Sequence, residues 1–248
     1  MMSPDDTFYG NAFRRMTGIL SEEQLSFLRH ANVLIVGIGG VGGIAAEMIA
    51  RSGVSSLTLV DGDVIEISNL NRQLVALTST LGRLKTEVMS ERVRDINPAL
   101  SVKLISRYLE PEDIASLFEH DTYQLVIDAI DSVDTKVRLL SECVERHVPV
   151  VSSMGAGLRL APEKIQVDDI SKTSVCPLAK KIRTQLKKNH GITTGIRCVF
   201  SVEPPMLPQK DSDGRNIIGT ISYMPTLFGV RCAAEGIRLL NAIDVNSR

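Results

Sequence analysis

Gly37-Ile-Gly39-Gly40-Val-Gly42 lies between two apolar runs, and it constrains this chain more than any other stretch. The run before it, Asn32–Gly37, is short, β-rich and bounded by glycines, which predicts a buried strand. The run after it, Val41–Ser52, is apolar at most positions over a helical length, which predicts a helix packed against a sheet. Strand, glycine turn and helix in that order bring free backbone N–H groups and a helix N-terminus to one point, where phosphate binds. Residues 33–50 have the length of a membrane span, but five glycines and Glu47 within them favour a buried strand, turn and helix. A glycine turn that merely lets a helix approach a sheet would read the same way. The residues that follow therefore decide its meaning.

The alternation continues. Leu57–Asp61 predicts a second buried strand, and Gly82–Ile96 a helix stopped by Asn97-Pro98. Val102–Ile105 predicts a third strand, and Pro111–Phe118 a helix with proline in its first turn. Gln124–Ile130 predicts a fourth strand, Val133–Arg146 a helix and Val148–Ser152 a fifth strand. Strands alternating with helices imply an α/β fold: a Rossmann-like, doubly wound, mostly parallel sheet covered on both faces. The pattern changes near residue 155. Lys164–Ile170 alternates like a half-exposed strand, Leu178–Asn189 is a basic helix, and Cys198–Glu203 is a strand. Pro204–Asn216, with three prolines, reads as a loop, and Pro225–Leu240 as a closing helix. This half reads as a C-terminal extension of mixed strands and helices.

Asp61 ends the second strand, where a carboxylate can accept both hydroxyls of a ribose. Ser68-Asn69-Leu70-Asn71-Arg72-Gln73 follows it. A triphosphate needs cations that reach its oxygens. Arg72 offers a planar fork, Lys85 a point charge, and Asn69 and Gln73 polar groups for the ribose and phosphates. Asp131, in Asp128-Ala-Ile-Asp131-Ser132, follows the fourth strand at the edge where open α/β sheets place ligands. It is a candidate Mg²⁺ ligand, because this ion takes few carboxylates plus phosphate oxygens. It is equally placed to cap the helix beginning at Ser132 or Val133. An NAD-binding oxidoreductase or a nucleotide sensor would account for the glycines and Asp61, but would leave Arg72 and Lys85 without a role.

Taken together, Gly37, Gly39, Gly40, Gly42, Asp61, Asp63, the run with Asn69, Arg72 and Gln73, Lys85 and Asp131 resemble the ThiF/MoeB/E1-like adenylating superfamily. Within it the chain is most similar to the tRNA threonylcarbamoyladenosine dehydratases. That likeness rests on Ser132, Gly155-Ala-Gly157, Ile165–Thr173, Pro177-Leu-Ala and Val199-Phe-Ser201-x-Glu203. The resemblance implies one E1-like domain over residues 1–248, with a nucleotide-binding core at 30–155 and a substrate and dimer extension at 156–248. It implies ATP and Mg²⁺ as cofactors and a homodimer in which an N-terminal arginine reaches the partner's triphosphate. Arg15 is preferred over its neighbour Arg14 for that role. It implies tRNA carrying N6-threonylcarbamoyladenosine as substrate, and a cysteine-desulfurase system as a further partner. The alternative acceptor is the C-terminus of a ubiquitin-like sulfur carrier.

Composition narrows these readings. A net charge of −1 gives no global attraction to RNA, so contact must come from a local patch. Lys180, Arg183 and Lys187 share helical spacing and are the candidates, against the plainer reading of a solvated helix face. The four cysteines form no Cys-x-x-Cys pair, unlike relatives that serve sulfur carriers with a bound zinc. Cys198 and Cys232 read as core, and Cys176 sits before a proline in an expected loop. Thioester transfer is therefore not expected. A reducing cytoplasm fits this cysteine usage, and no membrane insertion is expected.

Overall fold

A computed structural model describes residues 4–241. Two helices open the chain, α1 (Pro4–Ala12) and α2 (Glu22–His30). Sequence reasoning assigned neither. The signal for α2 was present: Ser21 and Gln24 form a reciprocal capping box at its start.

The expected alternation then appears: β1 (Asn32–Val36), α3 (Gly42–Arg51), β2 (Ser56–Val60), α4 (Lys85–Ile96), β3 (Ser101–Ile105), β4 (Leu125–Asp128), α5 (Val133–Glu145) and β5 (Val150–Ser153). It is followed by β6 (Ile165–Asp169), α6 (Pro177–His190), β7 (Arg197–Ser201), β8 (Gln209–Lys210), β9 (Asn216–Ile217) and α7 (Tyr223–Leu240). Seven strands form one sheet in the order β3-β2-β1-β4-β5-β7-β6, parallel throughout except for antiparallel β6 at the edge. The strands beyond residue 155 thus extend the same sheet.

Alternate residues of the central strands enter two cores, one on each face. Val33 and Ile35 of β1, with Leu125 and Ile127 of β4, pack with α3, α4 and α7 through Ala45, Met89, Phe228 and Cys232. Leu34, Val36 and Val126 pack on the other face with α5 and α6 through Leu140, Ile182 and Leu186. Burial of each such aliphatic side chain contributes roughly 1.5–3 kcal/mol, which explains why these strands are apolar at nearly every position.

Two expectations change. Pro111–Phe118 is not a continuous helix but two short 3-10 turns, Pro111–Asp113 and Ala115–Phe118, closed by i to i+3 bonds from Ile114 and Leu117. Eight residues are too few to hold an α-helix by propensity, and the i, i+3 spacing already buries Ile114 and Leu117. The 204–216 segment is not wholly loop either. It contains the small β8–β9 hairpin, whose turn is held by Asp211 Oδ1 accepting the N–H groups of Asp213 and Arg215.

Candidate active site

The carboxyl ends of β1, β2 and β4 converge on a cavity of about 470 Å³. That is within the range of small-ligand sites. Its lining includes Gly37, Gly39, Gly40, Asp61, Asp63, Asn69, Arg72, Gln73, Lys85 and Asp131. One cavity therefore gathers residues spread over almost a hundred positions of sequence. Gly42 lies behind the wall and shapes it.

The glycine turn is shaped by close backbone approaches. Gly37 has φ of 91°, and a Cβ there would stand 2.7 Å from the Ala129 carbonyl oxygen. A Cβ on Gly42 would stand 1.7 Å from the Gly37 carbonyl oxygen. Gly39 differs: a Cβ would meet only Gln73 Nε2, at 4.0 Å, so the space above it is open cavity. The turn is tight where it backs onto the protein and empty where a phosphate would sit.

Asp61 is built into this turn. Its Oδ2 accepts the Ile38 N–H at 2.6 Å and its Oδ1 the Asp63 N–H at 2.8 Å. A carboxylate has about four acceptor positions, so two remain for ribose hydroxyls. Lys85, the first residue of α4, is buried, and its Nζ donates to Asp63 Oδ2 at 2.5 Å. Tyr108, which follows the edge strand β3, donates its hydroxyl to Asp63 Oδ1 at 2.5 Å. Burial pushes the Asp63 carboxyl up. The hydrogen bonds from Lys85 and Tyr108, with the Lys85 charge, more than offset this and hold it below the usual aspartate range.

Arg72 is half-buried and points its Nη1 at neutral oxygens, Ser68 O at 2.8 Å and Asn71 Oδ1 at 2.9 Å. Gln73 is buried with an Oε1 that has no hydrogen-bond partner in the chain. A buried orphan acceptor on a cavity wall calls for a donor from a ligand. Asn69 is buried, and its Oδ1 accepts the Glu66 N–H. Asp131 is exposed at the cavity rim and does not cap α5; the cap position is Ser132, which makes no side-chain cap bond. A single free carboxylate beside a phosphate site suits Mg²⁺, which completes its shell with phosphate oxygens and water.

Ala156, Gly157, Thr220 and Pro225 close the cavity from the C-terminal half. Asn71 Nδ2 donates to the Thr220 carbonyl at 2.9 Å, tying the polar run to this wall. Buried Arg159 donates to the carbonyls of Gly155 and Gly157 and shapes that segment. Glu203 accepts the N–H groups of Leu160 and Ala161 at 2.9–3.1 Å. Tyr108, Arg159 and Lys136 (the buried partner of Asp128) escaped sequence reasoning. Their partners lie 2 to 45 residues away, with no local motif to mark them.

The other candidates lie away from the cavity. Arg14 and Arg15 are exposed on a 3-10 turn, Arg14–Gly18, and neither lines their own chain's cavity. On α6, Lys180 and Lys187 are exposed. Arg183 is half-buried, and its Nη1 donates to Thr173 O and Oγ1 at 2.8 and 2.5 Å, so it also ties α6 to the preceding turn. Cys143, Cys176, Cys198 and Cys232 are all buried free thiols. Burial pushes the Cys143 and Cys198 thiols far up, and that of Cys232 up to about 12. None of these three is a nucleophile at neutral pH. Among the described residues no helix is long and apolar enough to cross a membrane.

Comparison with known proteins identifies the family. The model of the ThiF family matches residues 13–248. A tRNA threonylcarbamoyladenosine dehydratase of Bacillus subtilis is 41% identical over 199 residues, covering 80% of this chain and 78% of that protein. One of Haemophilus influenzae is 41% identical over 207 residues, covering 81% and 79%. The structure of the Escherichia coli tRNA N6-threonylcarbamoyladenosine dehydratase TcdA in complex with ATP superposes with a TM-score of 0.86 at 35% identity, covering 94% of this chain and 95% of that one.

Proposed function

The chain belongs to the ThiF family, and from that premise we propose that it is an ATP-dependent tRNA threonylcarbamoyladenosine dehydratase. The observation that carries the reading is the single cavity in which an open glycine turn, Asp61, Arg72, Lys85 and Asp131 meet. An oxidoreductase reading leaves the cations unexplained.

Two steps follow. The threonine carboxylate of the modified nucleoside attacks the α-phosphorus of ATP, and pyrophosphate leaves. The carbamoyl group of the same nucleoside then attacks the activated carboxyl carbon, the ring closes and AMP leaves. The residues bind, orient and stabilise charge, and no covalent enzyme intermediate is needed. Gly37 and Gly42 close the turn, Gly39 and Gly40 seat the phosphates on its cavity side, and Asp61 takes the ribose. Asp63 keeps Lys85 aimed into the cavity, while Asn69 and Gln73 offer polar contacts to the ribose and phosphates. Arg72 offers its guanidinium to the phosphate oxygens, and Asp131 would hold Mg²⁺, which neutralises phosphate charge when bound. The burial of all four thiols supports direct adenylation over thioester transfer.

The finer assignments belong to the same proposal. A homodimer places Arg15, or its neighbour Arg14, against the partner's triphosphate; both are exposed and outside their own cavity. Lys180 and Lys187, with Arg183 beside them, contact the tRNA backbone. A cysteine-desulfurase system is a further partner, and the setting is the cytoplasm. Incubation of the protein with ATP, Mg²⁺ and tRNA carrying the modified nucleoside tests the central claim. Mass spectrometry should show the nucleoside lighter by one water. Unchanged nucleoside with intact ATP binding would refute the acceptor.

A further inference from the structure

Below the cavity floor, the side chains of Asp128 and Lys136 form an ion pair in which both are fully buried, with Nζ 2.7 Å from Oδ2. Asp128 ends β4 and Lys136 lies in the first turns of α5. Asp128 Oδ2 also accepts the Ser152 hydroxyl at 2.6 Å, and its Oδ1 accepts the Ile130 N–H at 3.1 Å. Lys136 Nζ donates a second bond to the Ile130 carbonyl at 2.9 Å. The pair therefore holds both backbone polar atoms of Ile130, the residue before Asp131.

Stability alone does not account for this arrangement. Charges in an apolar interior lose their hydration, and a buried ion pair is often no more stabilising than a hydrophobic pair of similar volume. A hydrophobic pair could fill the same space between β4 and α5. It could not bind the Ile130 carbonyl, which would lose the donor that fixes it. The neighbouring peptide is fixed from the other side: the Ala129 N–H donates to Val36 O at 2.8 Å, and the Ala129 carbonyl lies against Gly37. The turn 129–131 is thus clamped between the glycine turn and the buried pair.

We infer that Lys136 is a positioning residue: its buried ammonium sets where the 129–131 turn, and with it the Asp131 carboxylate, stands relative to the glycine turn. The inference rests on the proposed role of Asp131. Lys136 touches no reacting atom and acts through the peptide it holds.

Two variants test this. Lys136→Met removes the ammonium and leaves Asp128 without a counter-ion. Asp128→Asn/Lys136→Met removes both charges, so that no unpaired charge remains in the core. For each, turnover of modified tRNA and its Mg²⁺ dependence are measured per folded molecule. ATP binding with and without Mg²⁺ is followed by calorimetry. The expected result is a fall in kcat of tenfold or more and a tenfold rise in half-saturating Mg²⁺, with the Mg²⁺-free ATP affinity within twofold of the parent. If either variant folds and keeps the parent's kcat and Mg²⁺ dependence, the pair is purely structural and the inference is overturned. A parent protein that binds ATP but dehydrates no tRNA would count against the proposed function instead. The Mg²⁺ dependence of ATP binding would then still decide the role of Lys136.

Discussion

Gly42→Ala and Gly39→Ala separate the two tasks of the glycine turn, because one position is closed by protein and the other by nothing. The added methyl of Gly42→Ala would lie 1.7 Å from the Gly37 carbonyl oxygen, where real Cβ atoms keep at least 3.0 Å. Relief requires a shift of about 1.3 Å in the turn, and displacement of that size costs about 10²-fold in a positioned reaction. Overpacking adds a stability loss of roughly 1–3 kcal/mol. Gly39→Ala meets nothing nearer than 4.0 Å, so the free protein keeps its stability while the methyl occupies the phosphate space. Gly43→Ala, with its nearest neighbours at 3.8 and 3.9 Å, is the neutral control. Thermal unfolding with and without ATP reads all three. At ATP a hundredfold above Kd, the parent gains about 2.7 kcal/mol, or roughly 5–11 °C for a chain of this size. Gly43→Ala should keep that gain, Gly39→Ala should lose it from an unchanged starting Tm, and Gly42→Ala should start lower and lose it as well. Full ATP stabilisation in Gly39→Ala would refute the placement of phosphate over this turn.

Other perturbations probe the remaining parts. The Asp63 carboxyl is held below its ordinary 3.8, so its stabilisation is present above that value and lost as pH falls through the lower folded value. The Tm difference between the parent and Lys85→Met should therefore shrink below pH 3.8 in an acid melting series; a constant difference would remove the ion pair from the account. Alkylation with iodoacetamide at neutral pH should leave turnover intact and modify the four cysteines only after unfolding; rapid inactivation would reopen thioester chemistry. Lys180→Glu and Lys187→Glu should each weaken tRNA binding and lower the salt slope by about one in a filter assay, with the free-protein Tm unchanged. A 1:1 mixture of Arg15→Ala and Arg72→Ala chains, refolded together, should regain about a quarter of the parent's turnover if each site takes Arg15 from the partner in a two-fold dimer. No recovery would assign Arg15 elsewhere.

The sheet was legible because its signals are local. Apolar strands such as Asn32–Val36 and helices of twelve or thirteen residues such as α4 and α5 carry enough periodicity to be read one at a time. The glycine turn and Asp61 were legible for the same reason, since they punctuate strand ends. The 111–118 segment misled because proline marks the start of a helical turn without fixing how long it continues. The β8–β9 hairpin was hidden by the prolines before it, although Asp211-Ser-Asp-Gly214 is a turn sequence. Tyr108 had no local signature at all. It reaches Asp63 because β3 pairs with β2, and that pairing is a property of the sheet. Arg183 shows the opposite limit: its helical spacing with Lys180 and Lys187 was correct, but spacing does not reveal that Thr173 accepts from it.

Charge bookkeeping within the cavity bears on the assembly. Lys85 is the most buried cation in the wall, yet Asp63 already neutralises it. Arg72 is different, because the oxygens that accept its hydrogen bonds, Ser68 O and Asn71 Oδ1, are neutral and leave its charge uncompensated. Asp61 and Asp131 add negative charge to the same lining. With Glu66 and Arg107 also in the lining, three cations (Arg72, Lys85, Arg107) stand against four carboxylates (Asp61, Asp63, Glu66, Asp131), so a single chain offers a triphosphate no net positive charge, and attraction must come from backbone N–H groups, Arg72 and charges supplied from outside. In the proposed reading a divalent cation on Asp131 would supply one such charge and an arginine from a second copy another. This deficit gives the in-trans arginine a physical reason independent of family likeness. It also predicts that Arg72→Ala weakens ATP binding more than the double substitution Asp63→Asn/Lys85→Met does, since the double change removes a pair that is already neutral while Arg72→Ala removes charge that the protein has not cancelled.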